Sequence, residues 1–250
     1  MAIQRLNLTQ IRTEILRIVG NYADSTKADW RTDSNLYRIV NLYGQQLGIR
    51  SAMAARDNLP PGVKRLCFDM YKTHVESTAS ASDTGLVISA GEPRPVYLPV
   101  DYDHHISFYD LTNSRPIDVV TDVTKRHLNL KKLTAYTPSG AGLTPFAGPP
   151  EAIEILHYIT ISSTWRRTAI LYPNLGVSTV VIELYYYRLP AIMAGTDPDN
   201  EYVDADPKYQ YLWIYGPVCE LTRPNSPTYD RYKSFETELL VDLAATGKAY

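Results

Sequence analysis

The residues with the greatest chemical potential in this 250-residue chain are few and scattered. His104 and His105 stand side by side, flanked by Asp101, Asp103 and Asp110. Imidazoles beside carboxylates are the raw material of acid–base catalysis and of metal sites. On a strand, however, adjacent side chains point to opposite faces, so this pair is not expected to share an ion. Asp197, Asp199, Glu201, Asp204 and Asp206 look at first like a calcium loop. A loop starting at Asp197 has Tyr202 where the sixth-position glycine belongs and Lys208 where the twelfth-position glutamate belongs. An acidic turn ahead of a helix N-terminus, where negative charge is favoured, is the simpler expectation. Cys67 and Cys219 are single thiols in apolar or aromatic company and are expected to pack in a core. Two cysteines also exclude a disulfide framework and a four-thiolate zinc site. Lys131-Lys132 and Arg166-Arg167 are basic pairs of a kind that meets phosphates, but surface solvation is expected for both. The chain has no GxxxxGK[ST], no GxGxxG and no GxSxG. No catalytic, cofactor-binding or metal-binding residues are therefore expected, and the chain does not read as an enzyme.

Composition narrows the classes further. Hydrophobic residues make up 44% and charged residues 21%, the mix of a globular protein. A formal net charge of −2 argues against a dedicated nucleic-acid binder. Charge is unevenly placed: residues 1–60 hold 8 basic and 5 acidic side chains, and residues 197–250 hold 5 basic and 10 acidic. Residues 1–10 lack the apolar core of a secretion signal, and no apolar stretch is long enough to span a membrane, so neither export nor membrane insertion is expected. Tyrosine is the outlier, with 20 against 4 phenylalanines and 3 tryptophans. Its apolar body and polar tip suit contact surfaces between chains, and equally half-buried strand positions.

The elements that must position these residues fall into three parts. Residues 1–61 read as helical. Thr9 is expected to cap a helix with Leu8, Ile11, Ile15, Ile18 and Val19 on one face, ended by Gly20. A second helix, capped by Asp33 or Ser34, carries Leu36, Ile39, Val40, Tyr43 and Leu47 and ends at Gly48. Residues 21–32 are polar and loop-like. Residues 62–189 read as a meandering antiparallel β domain, with strands around 66–70 (where a helix also fits), 85–89, 96–98, 117–123, 153–161, 165–172 and 177–187. The last two are expected to form a hairpin through Pro173-Asn174-Leu175-Gly176. Residues 137–150 read as a long loop. Residues 190–250 are helical again. Asp206-Pro207 opens one helix, which Pro217 should kink. Ser226-Pro227 opens the last, with a stripe of Tyr232, Phe235, Leu239 and Leu243, closed by Gly247. The expected fold is α+β: a helical bundle of the N- and C-terminal helices with an inserted antiparallel β domain.

One ordered series carries a resemblance. It runs Leu171-Tyr172-Pro173, then Leu184-Tyr185-Tyr186-Tyr187-Arg188-Leu189-Pro190, then Tyr211-Leu212-Trp213-Ile214-Tyr215-Gly216, then the closing amphipathic helix. It resembles the head-to-tail adaptor (connector) proteins of tailed bacteriophages. In that family a strand ends in a YYRLP-like string, and an acidic loop leads to a helix with a YLYG-like start. Upstream, Tyr97-Leu98-Pro99-Val100-Asp101-Tyr102 is similar to the family's YxLPxDF-like segment. Pro217 departs from the Ala-like residues usual there, and the 137–150 loop is longer and richer in proline. The resemblance implies a structural virion protein of the phage neck, made in the host cytoplasm. It would form a ring of twelve copies under the portal protein, extend the DNA channel, and dock the tail or nozzle protein. Genomic DNA would pass without sequence-specific binding. The interface residues it implies are Tyr185, Tyr186, Tyr187, Arg188, Tyr209, Tyr211 and Tyr215. The alternatives are another tail subunit (tube, nozzle or fibre anchor) and a tail-associated hydrolase or nuclease using His104 or His105.

Overall fold

A computed structural model describes residues 5–20, 32–77, 87–88, 95–120, 134–135, 144–145, 149–161, 164–172 and 180–249. The chain is mixed α+β and divides into two compact units, 1–71 with 189–250, and 72–188. The first division falls later than the 61/62 boundary expected from the sequence, because residues 66–71 belong with the helices.

The first unit contains five helices among the described residues: α1 (Leu8–Val19), α2 (Asp33–Gln45), α3 (Leu47–Ala54), α4 (Leu212–Leu221) and α5 (Pro227–Ala244). Helix α1 buries Leu8, Ile11, Ile15, Ile18 and Val19, the expected face. Burying each such side chain contributes about 1.5–3 kcal/mol. Its cap is Asn7 rather than Thr9: the Asn7 side chain accepts the Gln10 N–H at 2.8 Å, and the Gln10 side chain accepts the Asn7 N–H at 3.0 Å. This reciprocal box satisfies two otherwise orphaned donors. The expected second helix is two helices, broken at Gln46, and Gly48 lies inside α3 rather than at an end. Gly48 is required there by proximity, since a Cβ would lie 2.3 Å from the Leu66 carbonyl oxygen.

Helix α4 is apolar nearly all round and packs against α1, α2 and α5. A helix hydrophobic on every side belongs at the centre of its unit. Gly216 lets it approach α2, where an added Cβ would meet the Tyr43 ring at 1.8 Å. Pro217 sits within the helix. The expected start at Asp206-Pro207 is instead a turn, in which Asp206 accepts the Lys208 N–H through its carboxylate and the Tyr209 N–H through its carbonyl. In α5 the Ser226 side chain accepts the Tyr229 N–H at 3.1 Å and Pro227 occupies the first turn, as expected. The buried face is Glu236, Leu240, Leu243 and Ala244, so of the expected stripe Leu243 is buried, Tyr232 and Leu239 are half-buried against the core, and Phe235 is 37% exposed. Buried Glu236 displaces the stripe because it accepts from Tyr43 Oη at 2.8 Å and from Lys233 Nζ at 2.6 Å.

Gly247 does not simply stop the last helix. It opens β12 (Gly247–Ala249), which pairs antiparallel with β1 (Leu66–Phe68), giving Phe68↔Gly247 and Leu66↔Ala249. Met70, expected in the same strand, lies in a short 3-10 turn.

The second unit holds β2 (Lys72–Ser77), β3 (Val87–Ile88), β4 (Pro95–Tyr97), β5 (Tyr102–Asp110), β6 (Arg115–Val120), β7 (Thr134–Ala135), β8 (Thr144–Pro145), β9 (Ala152–Ile161), β10 (Thr164–Tyr172) and β11 (Ile182–Arg188). Eight of them form one sheet in the order β2-β11-β5-β6-β9-β10-β4-β3, while β7 and β8 pair with each other. Two expectations fail here. The hairpin partner of β10 is β9, closed at Ile161↔Thr164, not β11. With β9 on one flank and β4 on the other, β10 has no edge left for β11. The sheet is also not wholly antiparallel, since β6 and β9 run parallel. The long connection from 121 to 151 makes that crossover possible. Residues 21–31, 121–133 and most of the 137–150 loop lie outside the described residues. The sheet buries Val96, Leu98, Phe108, Ile117, Ile153, Leu171, Ile182, Leu184 and Tyr186 in a second core.

Candidate interaction surface

The sequence candidates for chemistry are engaged in holding the fold. His104 and His105 do not diverge: their rings stack with centroids 4.7 Å apart. The pair is flanked by two irregularities in the β5–β11 ladder, which jumps from Tyr185↔Ser107 to Tyr186↔His105 and from Tyr187↔His104 to Arg188↔Tyr102. Each extra residue resets the alternation. Burial, then the neighbouring His104, lowers the His105 pKa to about 4, so this imidazole is neutral at pH 7. Tyr102 Oη lies 3.3 Å from its Nδ1. Asp110 is fully buried and caps a turn, accepting from the Asn113 N–H at 3.0 Å and Asn113 Nδ2 at 2.7 Å. Asp101 accepts from Tyr186 Oη at 3.0 Å.

The acidic loop is likewise committed to the backbone. The Glu201 carboxylate accepts the N–H groups of Gly195, Thr196 and Asp197 at 2.7–3.2 Å. The Gly195 N–H leads in holding its pKa below the usual value. Asp204 accepts the Ala191 N–H and Asp197 accepts from Asn200. Cys219 is buried, and burial followed by the charge of Glu236 pushes its thiol up to about 12, which removes the nucleophilic thiolate at neutral pH. Cys67 is buried too. Of the basic pairs, Arg166 is buried and Arg167 donates to the Leu156 carbonyl, so they do not present a joint phosphate-facing surface; Lys131-Lys132 lies outside the described residues.

The seven tyrosine and arginine positions singled out for contact separate into three groups. Tyr186, Tyr187 and Tyr209 are buried at 5%, 1% and 6% exposure. They offer little surface, and Tyr209 Oη is spent on Asp242 at 2.9 Å. Tyr185 and Arg188 are half-buried on β11. Tyr211 and Tyr215 line a groove of about 540 Å³ between α1, α4 and α5 in the first unit.

One wall of that groove carries four aromatic rings. Tyr211 and Tyr215, one helical turn apart, stack at 5.9 Å. Tyr215 meets Tyr232 and Phe235 at 5.6 Å each, and Tyr232 meets Phe235 edge-on at 6.0 Å. The Arg231 guanidinium stands 5.9 Å from the Tyr232 ring and 5.8 Å from Phe235. Across the groove α1 supplies Thr9, Thr13 and Glu14, with Glu14 paired to Arg17. Burial is the main cause raising the Tyr215 pKa, followed by Tyr211, so its hydroxyl is a neutral donor and acceptor throughout the physiological range. Aromatic rings with polar tips and a stacked arginine are the side chains that dominate contact energetics between chains.

No protein-family model matches the chain, and no curated protein matches it. The groove is thus read from its own geometry. Sequence reading found Tyr211 and Tyr215 through the aromatic series and placed Tyr232 and Phe235 on the apolar stripe of the last helix. The signal that places Phe235 at the surface is Glu236, whose pairing inside the unit turns the neighbouring face of α5 inward instead.

Proposed function

We propose that the chain is a structural virion protein of the tailed-phage head-to-tail adaptor type. Copies form a ring beneath the portal protein, dodecameric on the family pattern. The ring extends the DNA channel and docks the tail or nozzle protein, and genomic DNA passes through without sequence-specific binding. The protein is made in the host cytoplasm, resides in the phage neck, and is not an enzyme. In this reading the N- and C-terminal helices form a bundle and residues 72–188 are an inserted β domain. The shared core of α1 to α5 and the strand-rich content of 72–188 support that arrangement.

The observation that carries the reading is the aromatic groove. Tyr211 at 45% and Phe235 at 37% exposure leave its rim open to a partner. The engagement of His105, Asp101, Asp110 and Cys219 in structural contacts favours assembly over the hydrolase or nuclease alternative. A heterologous contact that closes after a fixed number of copies produces such a ring.

The test is electron microscopy of the purified chain with and without the portal protein of the same virus. The expected result is a mostly monomeric free chain and a ring capping one end of the portal in the mixture. A mixture in which the portal stays bare at micromolar chain would refute the adaptor reading.

A further inference from the structure

A different surface, in the 72–188 unit, carries an inference that does not depend on the adaptor reading. Among the described residues, strand β2 is an edge strand whose sheet neighbour is β11. The two run antiparallel with Glu183 opposite Glu76 and Tyr185 opposite His74. Alternation then places His74 and Glu76 of β2, and Glu183 and Tyr185 of β11, on one face. His74 and Glu76 are exposed and Glu183 is half-buried. One ligand atom from each of His74, Glu76 and Glu183 lies within 4.8 Å of the others.

Two features set this cluster apart from a chance group of surface charges. Like charges directly opposite each other on paired strands are destabilising, and the register holds Glu76 and Glu183 in that relation. A bound cation converts this repulsion into two attractions. Tyr185 also reaches two of the three side chains: its ring stacks on His74 at 5.4 Å and 24°, and its hydroxyl is hydrogen-bonded to Glu183. Outer partners that fix the orientation of metal ligands are a regular part of metal sites.

We propose that His74, Glu76 and Glu183 form a binding site for a divalent transition-metal cation, with Zn²⁺ the best-suited ion and Tyr185 the positioning residue. One imidazole and two carboxylates suit zinc, which takes nitrogen and oxygen ligands at about 2.0–2.2 Å. A carboxylate-only set would instead favour magnesium or calcium. Three protein donors leave a fourth tetrahedral position for water. The ion ties the edge strand β2 to β11, so its structural consequence is a stronger strand pair at the end of the sheet.

The experiment is titration of ZnCl₂ into the chelator-stripped full-length chain, followed by calorimetry and by thermal melting. The expected result is saturable binding of one Zn²⁺ per chain at micromolar concentration, with a higher melting temperature in zinc than in chelator. His74→Ala and Glu76→Gln should each weaken binding by about a hundredfold, and Tyr185→Phe by about tenfold. Glu76→Gln alters an exposed strand residue without changing its size, so its melt in chelator verifies folding even where His74→Ala perturbs the strand. Absence of binding at micromolar zinc overturns the proposal. So does binding that survives in both His74→Ala and Glu76→Gln, which would place the ion at another group. Magnesium binding as tight as zinc would overturn the transition-metal assignment.

Discussion

Tyr186 and Tyr187 sit on a strand with neighbours on both sides, whereas Tyr211 and Tyr215 sit on or beside a helix with one flank open. Strand β11 lies between β2 and β5, and alternation sends Ile182, Leu184 and Tyr186 into the sheet core. Helix α4 is surrounded by α1, α2 and α5 but leaves a groove along the line of Tyr211 and Tyr215. The same residue type thus serves as core on β11 and as groove lining along α4. What decides is the number of packed neighbours around the element, not the tyrosine content of its sequence.

The largest effect that would sharpen this contrast is on stability. Tyr187→Ala removes a side chain with 1% exposure and should cost about 3–5 kcal/mol, the range for large aromatic truncations in cores. Tyr211→Ala should stay within about 0.5 kcal/mol of wild type, as surface substitutions do. Thermal denaturation of both variants checks this; equal losses would dissolve the distinction.

A smaller, pH-dependent effect should be confined to the β unit. The unfolded His105 takes up its proton near 6.5, while the folded one resists until about 4. Within that window the unfolded state binds more protons, so stability is complete above about pH 6.5 and declines as pH falls towards 4. His105→Gln should flatten the difference curve between pH 6.5 and 4. Parallel curves for wild type and variant would show that His105 titrates normally.

The smallest expected effect concerns the C-terminal strand. Deleting residues 247–250 removes β12 from β1 and should cost about 1 kcal/mol, the net worth of a hydrogen bond or so. An unchanged melting curve would mean that β12 adds nothing to the helical unit.

These cases also show what could be read before the structure. Helices α1 and α5 were legible because apolar periodicity coincided with caps, Asn7 lying two residues from the expected Thr9 and Ser226 as expected. The break between α2 and α3 was not, since Gln46 is a good helix former and nothing local marks the turn. The β9–β10 pairing was hidden by a stronger turn signal at 173–176 than at Ser162-Ser163. Strand β12 was invisible because Gly247, Lys248 and Ala249 have no apolar alternation. In the groove, Tyr211 and Tyr215 were legible from the aromatic series, whereas Phe235 depended on Glu236 being buried, which no local pattern announces. His74, Glu76 and Glu183 become neighbours only through the β2–β11 register, and so lay beyond sequence reading altogether.

The central claim is that the open aromatic groove, and not the buried tyrosine string, is a contact surface for ring assembly. Its most direct test is the mass of the portal mixture formed by the Tyr211→Ala, Phe235→Ala double variant, measured beside its unchanged secondary structure. The account predicts a folded monomer that no longer builds the ring on the portal. A folded double variant that assembles at the wild-type concentration would contradict it.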